Sequence, residues 1–226
     1  MKFKIVSLFV LCAILISCGT SRQGGKKQRK GTKAQVVLTP EQQRKYDYFF
    51  LEASRLKMKD DYSAAFDLLQ HCLTINPNAS SALYEISQYY MYLKQVPQGQ
   101  AALEKAVEND PDNYWYSQGL ASLYQQQNEM QKATNLLESM ATRFSDRMDP
   151  LYSLLDIYNR LEEYDNVITT LNRLEEKMGK NEQLSMEKFR IYLQKKDNQS
   201  AFREIESLVE EYPMDMRYQV ILGDVY

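Results

Sequence analysis

The chain has 226 residues, 44% hydrophobic and 26% charged, with a formal net charge of −2 that is unevenly spread. Lys2, Lys4, Arg22, Lys26, Lys27, Arg29, Lys30 and Lys33 precede every acidic residue, so the remainder carries 20 basic against 30 acidic residues, a net of −10. So acidic a body is a poor match for phosphate backbones, which argues against a nucleic-acid partner. Beyond residue 33 the only glycines are Gly99, Gly119, Gly179 and Gly223, leaving little material for strand turns or phosphate-cradling loops.

In chain order, Lys2 and Lys4 precede an apolar run from Ile5 to Ile16, interrupted only by Ser7. Twelve residues suit a signal-peptide core and fall short of the roughly 20 that a membrane-spanning helix needs. The segment Leu15-Ile16-Ser17-Cys18 then resembles the bacterial lipobox. That resemblance implies a leader over 1–17, cleavage before Cys18 and lipidation of that cysteine, which would anchor the chain to a membrane. Gly19 stands where some lipoproteins carry an inner-membrane retention aspartate, and no early acidic run follows. By analogy the expected location is the outer membrane, facing the periplasm. Residues 18–38 are polar and basic, as befits a flexible tether with a root-mean-square reach of roughly 25 Å.

Thr39-Pro40-Glu41-Gln42 reads as a capping box opening the first helix of the folded body, predicted over 39–226. From here a spacing of 34 residues governs the chain. Tyr90 recurs as Tyr124, Tyr158, Tyr192 and Tyr226, and Pro111 as Pro77 and Pro213. Within 80–113, Leu83, Ile86, Ser87 and Tyr90 recur at helical spacing, and Gly99, Leu103 and Ala106 do the same, which predicts two amphipathic helices and a turn. A period of this length marks a stacked-repeat architecture, whose helix pairs bury their apolar faces against neighbouring pairs. Five units are expected, at 46–79, 80–113, 114–147, 148–181 and 182–215, with a partial sixth at 216–226.

The unit resembles the tetratricopeptide repeat. Small residues at the eighth place (Ala53, Ser87, Ala121) meet small ones at the twentieth (Ala65, Gly99, Ala133); Leu155 and Val167 make the fourth pair looser. Tyrosine fills the eleventh place in all units but the first, and Leu69, Leu103, Leu137, Leu171 and Ile205 fill the twenty-fourth. Glu52 and Lys188 depart from the pattern, standing where an apolar residue is expected. The resemblance implies an all-α, right-handed superhelical solenoid of helix-turn-helix repeats.

It also implies a peptide- or partner-binding inner groove lined by the second, fifth, ninth, twelfth and thirteenth places of each unit. Those places include Phe50, Tyr84, Met91, Tyr92, Trp115 and Tyr152, an apolar strip of the side-chain types that anchor interfaces, unless several of them pack between helices instead. The lysine and asparagine set with which some members clamp a peptide's terminal carboxylate is missing, since the fifth place is never lysine and the ninth never asparagine.

His71 is the only histidine, and its neighbour Cys72 points about 100° away on a helix, so a metal site is not expected. Cys72 reads as a small buried hydrophobe. With one histidine and no nucleophile motif the chain lacks the usual acid-base parts. The expectation is a membrane-anchored protein-interaction scaffold of a Gram-negative envelope: no enzyme, no cofactor and no small-molecule substrate. Two alternatives stand beside it, the docking arm of a longer protein continuing past Tyr226 and a holdase-like binder of unfolded envelope proteins.

Overall fold

Residues 37–225 are described by a computed structural model, with side chains through Gly223. The predicted leader, Cys18 and all but the last two residues of the predicted tether lie outside the described residues.

Thr39 opens the first helix as its sequence suggests. Its hydroxyl accepts from the Gln42 amide at 3.2 Å, the Gln42 side chain accepts from the Thr39 amide at 2.9 Å, and Pro40 occupies the first turn. From there the described residues form eleven helices and no strand: α1 (Pro40–Lys57), α2 (Tyr62–Ile75), α3 (Ser80–Tyr92), α4 (Val96–Asn109), α5 (Tyr114–Gln126), α6 (Met130–Arg143), α7 (Asp149–Arg160), α8 (Tyr164–Met178), α9 (Glu182–Gln194), α10 (Asn198–Glu211) and α11 (Met216–Val225). Even-numbered helices from α2 to α10 start at Tyr62, Val96, Met130, Tyr164 and Asn198, each 34 residues after the last. Each helix packs chiefly on its neighbours in the chain, the contact pattern of a solenoid.

The turn inside each helix pair depends on one backbone conformation. Asp60, Lys94, Asn128, Glu162 and Lys196, again 34 apart, all have φ between 55° and 61°. This is the left-handed region, costing a residue with a β-carbon roughly 1–2 kcal/mol. Two hydrogen bonds enforce it. In the second pair, Gln95 N donates to Tyr90 O at 2.8 Å and Lys94 N to Met91 O at 3.1 Å, the bonds of a Schellman cap. The same two bonds recur in every pair, and the outer one ends on the carbonyl of Leu56, Tyr90, Tyr124, Tyr158 or Tyr192. The eleventh-place residues thus close each turn through their backbone. Their side chains serve the packing: Tyr124 and Tyr158 are buried, and their hydroxyls donate to Glu104 (2.9 Å) and Glu138 (3.3 Å) of the preceding unit.

Within a pair, small residues let the helices meet. Ala53, Ala65, Ser87, Ala121, Ala133, Val167 and Ala201 are all buried. At Gly99 a β-carbon would lie 2.7 Å from Met91 Cε and 3.1 Å from the Ser87 carbonyl oxygen, so α3 and α4 approach closely enough that any larger residue would displace Met91 and crowd the α3 backbone.

The apolar core falls into three clusters: one under α1 to α3 around Leu69 and Ile86, a central one from α4 to α9 around Leu137, Leu154 and Leu171, and a terminal one of Phe189, Ala201, Ile205, Leu208 and Tyr218. Glu52 departs from the apolar pattern on α1, before which no helix pair lies among the described residues; it is partly exposed and pairs with Arg55. Lys188 is another matter. It is 3% exposed, and the carboxylates of Glu175 and Glu204 reach its ammonium at 2.8 and 3.0 Å.

Lys94 has no β-carbon-free conformer to relax into, so Lys94→Gly should raise stability by about 0.5–1 kcal/mol, the relief of left-handed strain exceeding glycine's extra chain entropy. Lys94→Val should lower it. Urea or thermal unfolding followed by circular dichroism checks both signs.

Candidate interaction surface

The six aromatic and methionine residues of the predicted strip divide into two groups. Tyr92, Trp115 and Tyr152 stand out from α3, α5 and α7, at 80%, 63% and 47% exposure. Phe50, Tyr84 and Met91 are half-buried and engaged with the protein itself. Phe50 stacks on Tyr46 (centroids 5.9 Å, 9° between planes), Tyr84 on Tyr116 (4.8 Å, 29°), and Met91 caps the Gly99 contact. The second group stiffens the wall and the first presents itself to solvent.

The exposed group is held by its surroundings. Trp115 follows the N-cap Asn113, whose side chain accepts from the Trp115 amide at 3.1 Å. Its ring meets Tyr114 edge-on at 5.3 Å, and the Arg147 guanidinium sits 4.1 Å from the Tyr114 centroid and 5.5 Å from that of Trp115. Stacked on both rings, Arg147 braces the indole against the following pair. The Tyr152 hydroxyl donates to Met178 Sδ at 3.4 Å.

Two hollows open among residues of the predicted groove. The first, of about 430 Å³, lies between α1, α2 and α3 and is walled by Tyr62, Tyr89 and Tyr92, with Lys57 and Gln88 at its polar edge. Lys57 donates to Glu85 at 2.7 Å, and that hydrogen bond holds its pKa above the usual lysine value. Tyr89 is buried and meets Tyr62 edge-on at 6.4 Å, yet its hydroxyl has no hydrogen-bond partner. The second hollow, of about 810 Å³, lies along α9 and includes Gln183, Met186, Arg190 and Leu193, with Phe189 and Tyr212. Gln88, Tyr92 and Lys57 in one, and those four α9 residues in the other, are groove places read from the repeat.

Tyr62, Tyr89 and Arg147 were not part of the predicted strip. Tyr89 had a legible signal: its place is Leu123, Ile157 and Ile191 in later units, all buried, so a phenol there brings a hydroxyl into an apolar position. Arg147 had none, since its role depends on where the α6–α7 connection returns.

Elsewhere the chemistry is quiet. The exposed His71 ring lies 5.6 Å from that of Phe49, and no three metal-capable side chains gather among the described residues. Cys72 is fully buried, and burial pushes its thiol pKa up to about 11, so it is protonated and a poor nucleophile at neutral pH. No described helix is long and apolar enough to cross a membrane.

Left-handed turns at a fixed interval, small residues at the crossing and contacts between chain neighbours together define a helical-repeat solenoid. Residues 80–113, the unit bearing Gly99 and Tyr90, match the family model described as tetratricopeptide repeat. A tetratricopeptide repeat protein from Parabacteroides merdae is similar over 81% of this chain and 73% of its own (TM-score 0.55, 17% identity). MamA from Desulfovibrio magneticus is similar over 76% and 97% (TM-score 0.51, 13% identity). YrrB, described as a tetratricopeptide repeat protein with an unusual peptide-binding site, is similar over 80% and 94% (TM-score 0.54, 13% identity). At such identities the likeness shows a shared fold. Among curated proteins nothing matches.

Because the Tyr89 hydroxyl makes no hydrogen bond, Tyr89→Phe should leave stability unchanged or raise it by up to about 1 kcal/mol, whereas Tyr124→Phe, which loses the bond to Glu104, should cost about 1 kcal/mol. Chemical denaturation of the two variants beside the parent distinguishes them.

Proposed function

We propose that the protein is a membrane-anchored interaction scaffold of a bacterial envelope, which binds a protein or peptide partner along the groove formed by the first helices of its repeats. One observation carries the binding half of this reading: Tyr92, Trp115 and Tyr152 are exposed at groove places on three successive units. Large side chains with few rotors lose little entropy on contact and bury much apolar area, which makes them the usual anchors of interfaces. The half-buried Phe50, Tyr84 and Met91 hold the wall behind them. The peptide-binding site described for YrrB, on the same fold, supports a peptide-like occupant.

The anchoring half rests on the leader. A charged start, a twelve-residue apolar run and Leu15-Ile16-Ser17-Cys18 occur in the order required for lipidation at Cys18, and a polar basic stretch then precedes the solenoid. Outer-membrane placement facing the periplasm follows from Gly19 and the lack of an early acidic run, by analogy with other lipoproteins.

A photo-crosslinking residue at position 92 or 115 should trap one discrete envelope protein in cells, and the adduct should vanish in the Tyr92→Ala/Trp115→Ala double variant. A smear of unrelated proteins would favour the holdase reading, and no adduct would sink the groove. Separately, Cys18→Ala should move the protein from the membrane to the soluble fraction; unchanged sedimentation with membranes would refute lipidation.

A further inference from the structure

Three places that are apolar in most other units are charged around the joint between the fourth and fifth. The place of Lys188 is Glu52 in the first unit and Ile86, Leu120 and Leu154 in the next three; that of Glu175 is Leu73, Val107, Ala141 and Val209; that of Glu204 is Leu68, Ala102, Leu136 and Thr170. The substitutions compensate one another. Lys188 on α9 reaches Glu175 on α8 at 2.8 Å and Glu204 on α10 at 3.0 Å. Lys180, from the connection between α8 and α9, lies 3.4 Å from the second oxygen of Glu175 and 3.6 Å from that of Glu204. Those two oxygens are buried, and Lys180 balances their charge from the edge of hydrogen-bonding distance.

The quartet stands where the core changes hands. Leu184 and Ile191 of α9 belong to the central apolar cluster, whereas Phe189 belongs to the terminal one with Ala201, Ile205, Leu208 and Tyr218. Ions therefore stand beside Leu184 and Ile191 in this seam, at places that are mostly apolar between earlier units. A buried ion network holds a joint strongly while every member is charged. It gives less than apolar packing of equal volume, because desolvation offsets most of the attraction.

From this geometry we infer that the seam between α8 and α9 is a charge-operated joint, at which α9, α10 and α11 open as one unit while α1 to α8 stay folded.

The direction of its pH response follows from its members. Burial opposes both partners, yet the hydrogen bond and charge of Lys188 hold the Glu175 carboxyl below the usual carboxylate value, and the bonds to Glu175 and Glu204 hold Lys188 above the usual lysine value. The Glu175 contribution is complete above the ordinary glutamate value of about 4.3 and is lost as pH falls through the lower folded value. That of Lys188 is complete below about 10.4 and is lost as pH rises through its higher folded value. The other ionisable groups near the seam are Tyr192 on α9, whose pKa burial and then Glu204 raise, and Asp197 and Lys195 beyond it, the latter paired with Asp165 of α8. They titrate outside the acid window or lie at the rim.

Because the hollow beside Met186, Arg190 and Leu193 lies on α9, opening removes one end of the groove. The joint itself is independent of what the groove binds.

Native-state hydrogen exchange of the 226-residue chain, followed by mass spectrometry and corrected for intrinsic rates, tests this. Between pH 7 and pH 3, below the ordinary glutamate value, the α9 to α11 amides should share one opening that speeds at least about threefold while α5 to α8 hold their protection. The variant E175L/K188L/E204L, with an apolar residue at each place as in the third unit, should abolish that acceleration. Lys188→Met, leaving two carboxylates buried, should produce it already at pH 7. Equal acceleration in all helices, or an acid response that survives in the triple variant, would overturn the joint.

Discussion

One backbone conformation sets the geometry of this protein. At the fifteenth place of each unit the chain turns left-handed, and the resulting reversal delivers the second helix onto the first, across small residues in the first three units and across Leu155, Val167 and Phe189 in the later ones. None of the five residues concerned is glycine, and only Asp60 and Asn128 are types that adopt this conformation readily. Paired hydrogen bonds from the next turn over-determine the conformation, so the strain is held by the helix ends. Tyr92 stands two residues before one of these turns, and Trp115 is the second residue of α5, the first helix of the next unit.

Polar groups bridge neighbouring units. Tyr124 and Tyr158 hand their hydroxyls to carboxylates of the unit before, Arg173 reaches back to Glu138 at 2.8 Å, and, nearer the surface, Lys105 and Lys177 donate to the carbonyls of Pro77 and Ser145. A slip in stacking would strand the hydroxyls of the buried Tyr124 and Tyr158 at a cost of about 1–3 kcal/mol. Apolar contacts supply the adhesion of the solenoid and these bonds its register. The Lys188 quartet carries the same logic to full charge.

The fold was legible because the repeat is a periodic constraint: one unit read correctly gives the others, and Thr39, Ala53, Gly99, Cys72 and Leu137 lie where their spacing places them. The left-handed turns were not, since Lys94 and Glu162 carry no conformational signature in their side chains and take their φ from the backbone capping bonds at the helix end. The strip was half legible. Spacing selects the helix face of Phe50, Tyr84 and Met91, but how far each side chain is covered depends on Tyr46, Tyr116 and Gly99, at other places or in other helices. Lys188 read as a blemish in the pattern because its compensation lies 13 and 16 residues away, on two other helices.

The dependence of each helix on its chain neighbours also governs how the molecule is made. Bonds between units, such as Tyr124 to Glu104, Arg173 to Glu138 and Arg217 to Glu182, span 20 to 35 residues. Loop closure over so short a stretch costs little entropy, and chains dominated by near contacts fold fast. A pair of helices therefore finds its stacking partner as soon as the next pair has been synthesised, without waiting for the far end of the chain. The growing polypeptide exposes roughly one unit's apolar face at a time, which keeps a protein with so much tyrosine and leucine from meeting its own copies before it is finished.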